Sequence, residues 1–121
     1  MSKKLEFYGY SKCSTCRKAK AWLEEQGITY LEFPIRENPP KAPNIRAMIQ
    51  AYGGQVKKVL NTSSRDYREN GLKDRLPHLS QEALIEMLLE NGNLIKRPFL
   101  FGPGVHLVGF KPDQWERILP D

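Results

Sequence analysis

The sequence predicts an α/β fold, a mixed sheet whose two halves are separated by an inserted helical segment. Three observations predict it. A strand–helix–strand pattern opens the chain, from Leu5 to Phe33. A polar stretch from Val56 to Gly92 then reads as helical, without strand alternation. Last come two short apolar runs around Gly102-Pro103-Gly104 and a final helix. At 121 residues the chain is long enough for one domain with a core that needs no disulfide staples. The sheet part is expected at about 1–36 and 94–121, with the insertion at about 37–93.

Leu5 to Tyr8 reads as a short buried strand. The next helix starts near Ser14 and ends at Gly27, a residue that readily takes the left-handed C-terminal conformation. Ile28 to Phe33 reads as a second strand closed by Pro34. A right-handed crossover makes this strand parallel to the first. Asn38-Pro39-Pro40-Lys41-Ala42-Pro43 reads as a stiff connector, and Asn44 as the cap of a helix over Ile45–Tyr52 stopped by Gly53-Gly54. Val56, Val59 and Leu60 share a face, and Tyr67 and Leu72 pack a turn around Gly71. Ser80 caps a helix whose Ala83, Leu84, Met87 and Leu88 form an apolar stripe. Arg97 to Phe101 and Val105 to Gly109 form a hairpin, and Asp113 caps a helix that turns Trp115, Ile118 and Leu119 inward. This order, with a cysteine pair after the first strand, is that of a thioredoxin-like (glutaredoxin-like) mixed sheet carrying an inserted helical subdomain. Pro98 then opens the strand beside the cysteines, where that fold holds a cis-proline.

Chemistry concentrates at Cys13-Ser14-Thr15-Cys16, which holds both cysteines of the chain at a strand-to-helix junction. Amides in the first turn of a helix lack intrahelical partners and stabilise a negative group placed there. A cysteine at a helix start beside Lys or Arg therefore ionises more readily than a free thiol. Lys12, Arg17 and Lys18 flank the pair. Cys16 returns to the same helical face as Cys13, so it can attack a bond formed there and close an internal disulfide. Cys13 is the nucleophile in this reading and Cys16 the resolving thiol.

Two other readings of the pair stay open. Half of a zinc site shows the same spacing, but a closed site needs two more ligands, and His78 and His106 lie far apart. Cys16 can also simply fill the core side of the helix. A phosphatase-type loop is excluded, because Ala19 stands where the required arginine would be.

The composition, 40% hydrophobic and 27% charged, is that of a soluble globular protein. No secretory or bilayer-spanning segment is recognisable, which places the chain in a reducing, cytoplasmic setting and favours a catalytic or sensing pair. The formal net charge is +5, but the cations are dispersed and no zinc-finger or RNA-recognition signature accompanies them. Direct nucleic-acid binding is not expected. An anionic small ligand, glutathione or an oxyanion, suits the charges near Cys13.

Along nearly its full length the chain resembles the arsenate reductase (ArsC)/Spx family. The motifs are Cys13 to Ala19 with Trp22-Leu23-Glu24, Leu60-Asn61-Thr62 with Tyr67 and Gly71-Leu72, Ile95-Lys96-Arg97-Pro98, and Val108-Gly109-Phe110. The resemblance implies a thiol-dependent reductase in which Cys13 attacks an oxyanion or a glutathione mixed disulfide. Arg97 then holds the anionic adduct. Lys12, Ser14, Thr15, Asn61, Pro98 and Lys111 complete the expected substrate site, which holds no metal or bound cofactor. Glutathione, glutaredoxin or thioredoxin would supply electrons.

The glutaredoxin-linked arsenate reductases of the family set three arginines round the cysteine. Here Arg97 keeps one, Asn61 stands at the second, and only Lys111 lies near the third. Asn61-Thr62 and Val108-Gly109-Phe110 are more similar to the reductase-like branch. The internal pair Cys13/Cys16 resembles Spx, which implies the alternative of a redox-sensing regulator that binds the RNA polymerase alpha subunit.

Overall fold

The computed structural model describes residues 5–119. Lys3 and Lys4 lie outside that range. Strand β1 (Glu6–Gly9), helix α1 (Ser14–Glu25) and strand β2 (Leu31–Pro34) form the opening unit, with β1 and β2 parallel. Strand β3 (Phe99–Gly102) lies antiparallel beside β1, and β4 (Val105–Val108) antiparallel to β3, in the order β2-β1-β3-β4. The insertion contains α2 (Ala42–Ala51), a 3₁₀ turn at Val56–Val59, then α3 (Arg65–Glu69), α4 (Leu72–Arg75) and α5 (Gln81–Glu90). Helix α6 (Pro112–Ile118) ends the described chain.

Alternation along the strands sends side chains into two cores. Phe7, Leu100 and Leu107 pack with Cys16, Leu23 and Trp115 of α1 and α6. Tyr8, Phe99 and Val108 pack with Ile45, Ile49, Leu84 and Leu88 of the insertion. The sheet is thus a middle layer between α1/α6 and the inserted helices. Each fully buried aliphatic or aromatic side chain contributes about 1.5–3 kcal/mol, so both layers are held firmly against it.

Several boundaries differ from those expected, each for a local reason. Strand β2 begins at Leu31, because the Ile28 N–H is taken by the Leu23 carbonyl at the end of α1 (3.0 Å). Pro34 belongs to β2, where an edge strand tolerates a missing donor. Helix α2 starts at Ala42, with Pro43 in a first turn whose N–H groups have no intrahelical partner; Asn44 lies inside the helix and Lys41 is the N-cap. In α5 the buried positions are Leu84, Ile85 and Leu88, while Ala83 and Met87 are only partly covered. Lys111 rather than Asp113 is the N-cap of α6, and Ile118 is 42% exposed instead of facing inward. Trp115 is fully buried, and its indole N–H donates to the Gly109 carbonyl at 3.1 Å.

A further link lies outside the sheet. Leu60 and Ile95 form an isolated antiparallel bridge, with Asn61 N–H donating to the Leu94 carbonyl and Lys96 N–H to the Val59 carbonyl, both at 2.8 Å. This bridge ties the insertion to the segment leading into β3.

Candidate functional site

Cys13 is the N-cap of α1. Its backbone is extended (φ −91°, ψ 115°), and its Sγ accepts the Cys16 N–H at 3.3 Å. The loop before it is drawn tight by the Cys13 N–H on the Tyr10 carbonyl (3.0 Å) and by Arg17 Nη1 on the Ser11 carbonyl (3.0 Å). Both thiols are free. Cys13 is half-buried, whereas Cys16 is buried at 1% exposure against β1. Gly9 makes room for it: a Cβ there would lie 3.2 Å from Cys16 Sγ and 2.7 Å from the Phe7 ring.

Burial, followed by the hydrogen bond with Cys13, pushes the Cys16 thiol up to about 12, outweighing the backbone of Tyr10 and the charge of Arg97. Cys16 therefore stays protonated near neutrality and presents a donor to Cys13.

Cys13 opens into a cavity of about 340 Å³. Thr15 lines it from α1, Asn61 and Ser63 from the insertion, and Lys96 and Arg97 from the segment before β3. The Leu60–Ile95 bridge explains the meeting, because it sets the loop after Leu60 beside Lys96 and Arg97. Ser64 stiffens that loop by donating from Oγ to the Asn61 carbonyl (2.8 Å) while capping α3. The Arg97–Pro98 peptide is cis, Pro98 is buried, and its carbonyl accepts the Gly109 N–H at 2.9 Å.

The cavity brings together Cys13, Thr15, Asn61 and Arg97 of the expected residues. Pro98, which follows Arg97, is buried and does not line it, and Cys16 sits behind Cys13 in the core. Lys12, Ser14 and Lys111 are exposed and do not line it. Thr62, Ser63, Lys96 and Gly109 line it in addition. Lys96 reads in the sequence as one more solvated cation. In the structure its stem packs across Gly109, where an added Cβ would lie 2.9 Å from Lys96 Cε, and φ is +70°. Lys96 and Gly109 each fall in a family motif, but nothing in the sequence shows that the two meet.

Arg97 Nη1 donates to Asn93 Oδ1 at 3.3 Å, and its guanidinium lies 4.9 Å from the centroid of the Tyr10 ring. Among the described residues it forms no ion pair with an acid, so its charge remains available to a ligand. The described residues contain no group of three or more His, Cys, Asp or Glu arranged to hold a metal ion.

The model of the ArsC family matches residues 8–118. The chain belongs to the ArsC family. Its relatives within and around that family include the uncharacterised protein YusI of Bacillus subtilis (strain 168). YusI is 46% identical over 112 residues, covering 93% of this chain and 95% of its own. The global transcriptional regulator Spx of Enterococcus faecalis is 30% identical over 116 residues, covering 96% and 86%. Among solved structures, a possible arsenate reductase from Streptococcus mutans UA159 is 44% identical with a TM-score of 0.82. That match covers 88% of this chain and 91% of the other. This ArsC-family chain has the thioredoxin-like α/β fold of these neighbours.

Proposed function

We propose that the protein is a thiol-dependent reductase in which Cys13 attacks the disulfide of a small anionic thiol or an oxyanion. The observation that carries this reading is the opening of Cys13 at a helix start into a cavity that also holds Arg97 and Lys96. For a disulfide, the Cys13 thiolate attacks one sulfur, forms a mixed disulfide and releases the other half, which takes up a proton. Cys16 then attacks the mixed bond, giving a Cys13–Cys16 disulfide and a second thiol. For an oxyanion, Cys13 displaces one oxygen, which is protonated and leaves as water, and attack of Cys16 on the Cys13 sulfur then breaks the new bond and leaves its electron pair on the central atom. In both cases the substrate gains two electrons and the cysteine pair loses them. Glutathione, glutaredoxin or thioredoxin would return them to the protein.

Arg97 and Lys96 balance the charge of the substrate, and Thr15 and Asn61 offer polar groups to it. Lys12, Ser14 and Lys111 take no step. Burial of Cys16 disfavours its thiolate, so an external thiol can compete with it for the mixed disulfide. The matched fold of the S. mutans neighbour, described as a possible arsenate reductase, supports the reductase class.

The test is a single turnover of fully reduced protein with glutathione disulfide or arsenate, followed by mass spectrometry of the intact chain. A Cys13 adduct that forms faster than on a free thiol, and is lost in Cys13→Ser, is the expected result. An unmodified chain with both substrates would overturn the reading.

The similarity to Spx supports a second reading, a regulator in which the Cys13–Cys16 disulfide alters a surface that binds the RNA polymerase alpha subunit. Redox-dependent co-purification with that subunit, without turnover of either substrate, would favour it.

A further inference from the structure

A second cavity, about 620 Å³, adjoins the first, and Asn61, Ser63 and Arg97 line both. Its remaining wall includes Tyr10, Arg36, Arg65, Asp66 and Asn93. The Tyr10 ring gathers two guanidinium groups, with Arg36 and Arg97 each 4.9 Å from its centroid. Neither Arg36, Arg65 nor Arg97 is paired with an acid within ion-pair distance among the described residues.

Asp66 is the single acid on this wall. Its Oδ2 accepts from Asn91 Nδ2 at 2.8 Å and from Asn93 Nδ2 at 3.4 Å. These bonds, followed by the nearby Arg36, hold its carboxyl below the usual carboxylate range. It therefore remains a fixed negative charge among three cations. Like charges brought together on an aromatic face, with one acid beside them, form a complement for a group that carries a carboxylate and an ammonium at once.

We propose that this second cavity binds the α-amino-acid head of a small-thiol disulfide whose sulfur is presented to Cys13 across the shared wall. The carboxylate is placed against Arg36 and Arg65 and the ammonium against Asp66. Arg36 and Asp66 thus set which disulfides the site prefers, while Cys13 carries the chemistry. The volume lies within the range of small-ligand sites. This assignment rests on the reading of Cys13 as a nucleophile toward disulfides.

The experiment measures the rate of Cys13 adduct formation in reduced protein with three probes. Glutathione disulfide carries the full head, its N,N′-diacetyl derivative lacks the ammonium, and bis(2-hydroxyethyl) disulfide is neutral. For the wild type, acetylation is expected to slow the reaction several-fold. Arg36→Ala is expected to lower the preference for glutathione disulfide over the neutral probe about tenfold, the scale of one lost charge-assisted hydrogen bond. Arg36 is exposed, so the variant should fold, and circular dichroism checks this. A preference unaltered in Arg36→Ala, or a wild type indifferent to acetylation, overturns the subsite while leaving Cys13 as the nucleophile. A wild type that reacts with none of the probes overturns both.

Discussion

Cys13 and Cys16 lie on one turn of helix yet meet different surroundings. Cys13 faces a cavity and Cys16 the apolar core, with its thiol pushed up to about 12. Iodoacetamide should therefore modify Cys13 at pH 7 and leave Cys16 largely untouched, at least tenfold more slowly on the scale of a buried, protonated thiol. Peptide mapping over time checks this, and equal labelling would mean that the core does not enclose Cys16. Lys96 is the residue at which the sequence was least informative. It counted as one dispersed cation among 19 Lys and Arg, and only the close approach over Gly109 shows its stem held in place. Lys96→Ala is expected to slow the reaction of Cys13 with an anionic disulfide roughly three- to tenfold, as one charge partner is lost. Gly109→Ala should do the same by displacing the lysine, at a further cost in stability because φ there is +70°. A Lys96→Ala rate equal to wild type would return this lysine to the solvated surface. Cys13, Asn61 and Arg97, by contrast, stand at positions for which the family resemblance implies a role, whereas for Lys96, in the same motif as Arg97, it implies none.

Helices and strands were legible where a cap or an alternation marked them, as at Ser80 before α5 and Gly104 between β3 and β4. Prolines at element ends are less easily read. Pro34 ends an edge strand and Pro43 lies in the first turn of α2, both places where its missing N–H leaves nothing unpaired. What no local pattern revealed was the pairing of Leu60 with Ile95, 35 residues apart, although it builds one wall of the site. A similar long-range contact fixes the exit of β2. Gly92 packs so closely on the backbone that an added Cβ would overlap the Ile35 carbonyl oxygen and come within 3.1 Å of Arg36 Cα. The atoms in the way are backbone, so no rotamer change relieves the overlap. Gly92→Ala is expected to destabilise the fold by about 2–3 kcal/mol, the cost of overpacking a tight interior. Urea unfolding measures it, and a loss under about 0.5 kcal/mol, the size of an ordinary surface substitution, would show that the two segments can separate cheaply. Because Arg36 follows Ile35, the same variant should also weaken the preference for amino-acid disulfides.

At the scale of the whole molecule, the two cores make stability depend on alkali through groups that must remain neutral. Three groups are pushed upward: the Cys16 thiol to about 12, the Tyr30 hydroxyl to about 12, and the Tyr8 hydroxyl further still. Burial is the leading cause in each, followed for the tyrosines by hydrogen bonds to Glu24 and Glu6 respectively. Each is neutral when protonated, and unfolding returns the thiol to its reference value of 9.0 and the phenols to 10.0. Between those values and the folded ones, the native chain holds protons that the unfolded chain has released. The slope of unfolding free energy with pH follows the protons bound unfolded minus those bound folded, which is negative here. Stability is therefore fully present below about pH 9 and falls as the pH rises toward 12. Cys16 contributes from the lower end of that window, the tyrosines from about a unit higher. Cys16→Ala removes one titrating group, so its urea midpoint should start lower at pH 8, through lost packing, yet decline less steeply between pH 9 and 10.5. Parallel slopes for the two proteins would mean that Cys16 titrates alike in the folded and unfolded chains. That result would remove the argument for a protonated thiol behind Cys13.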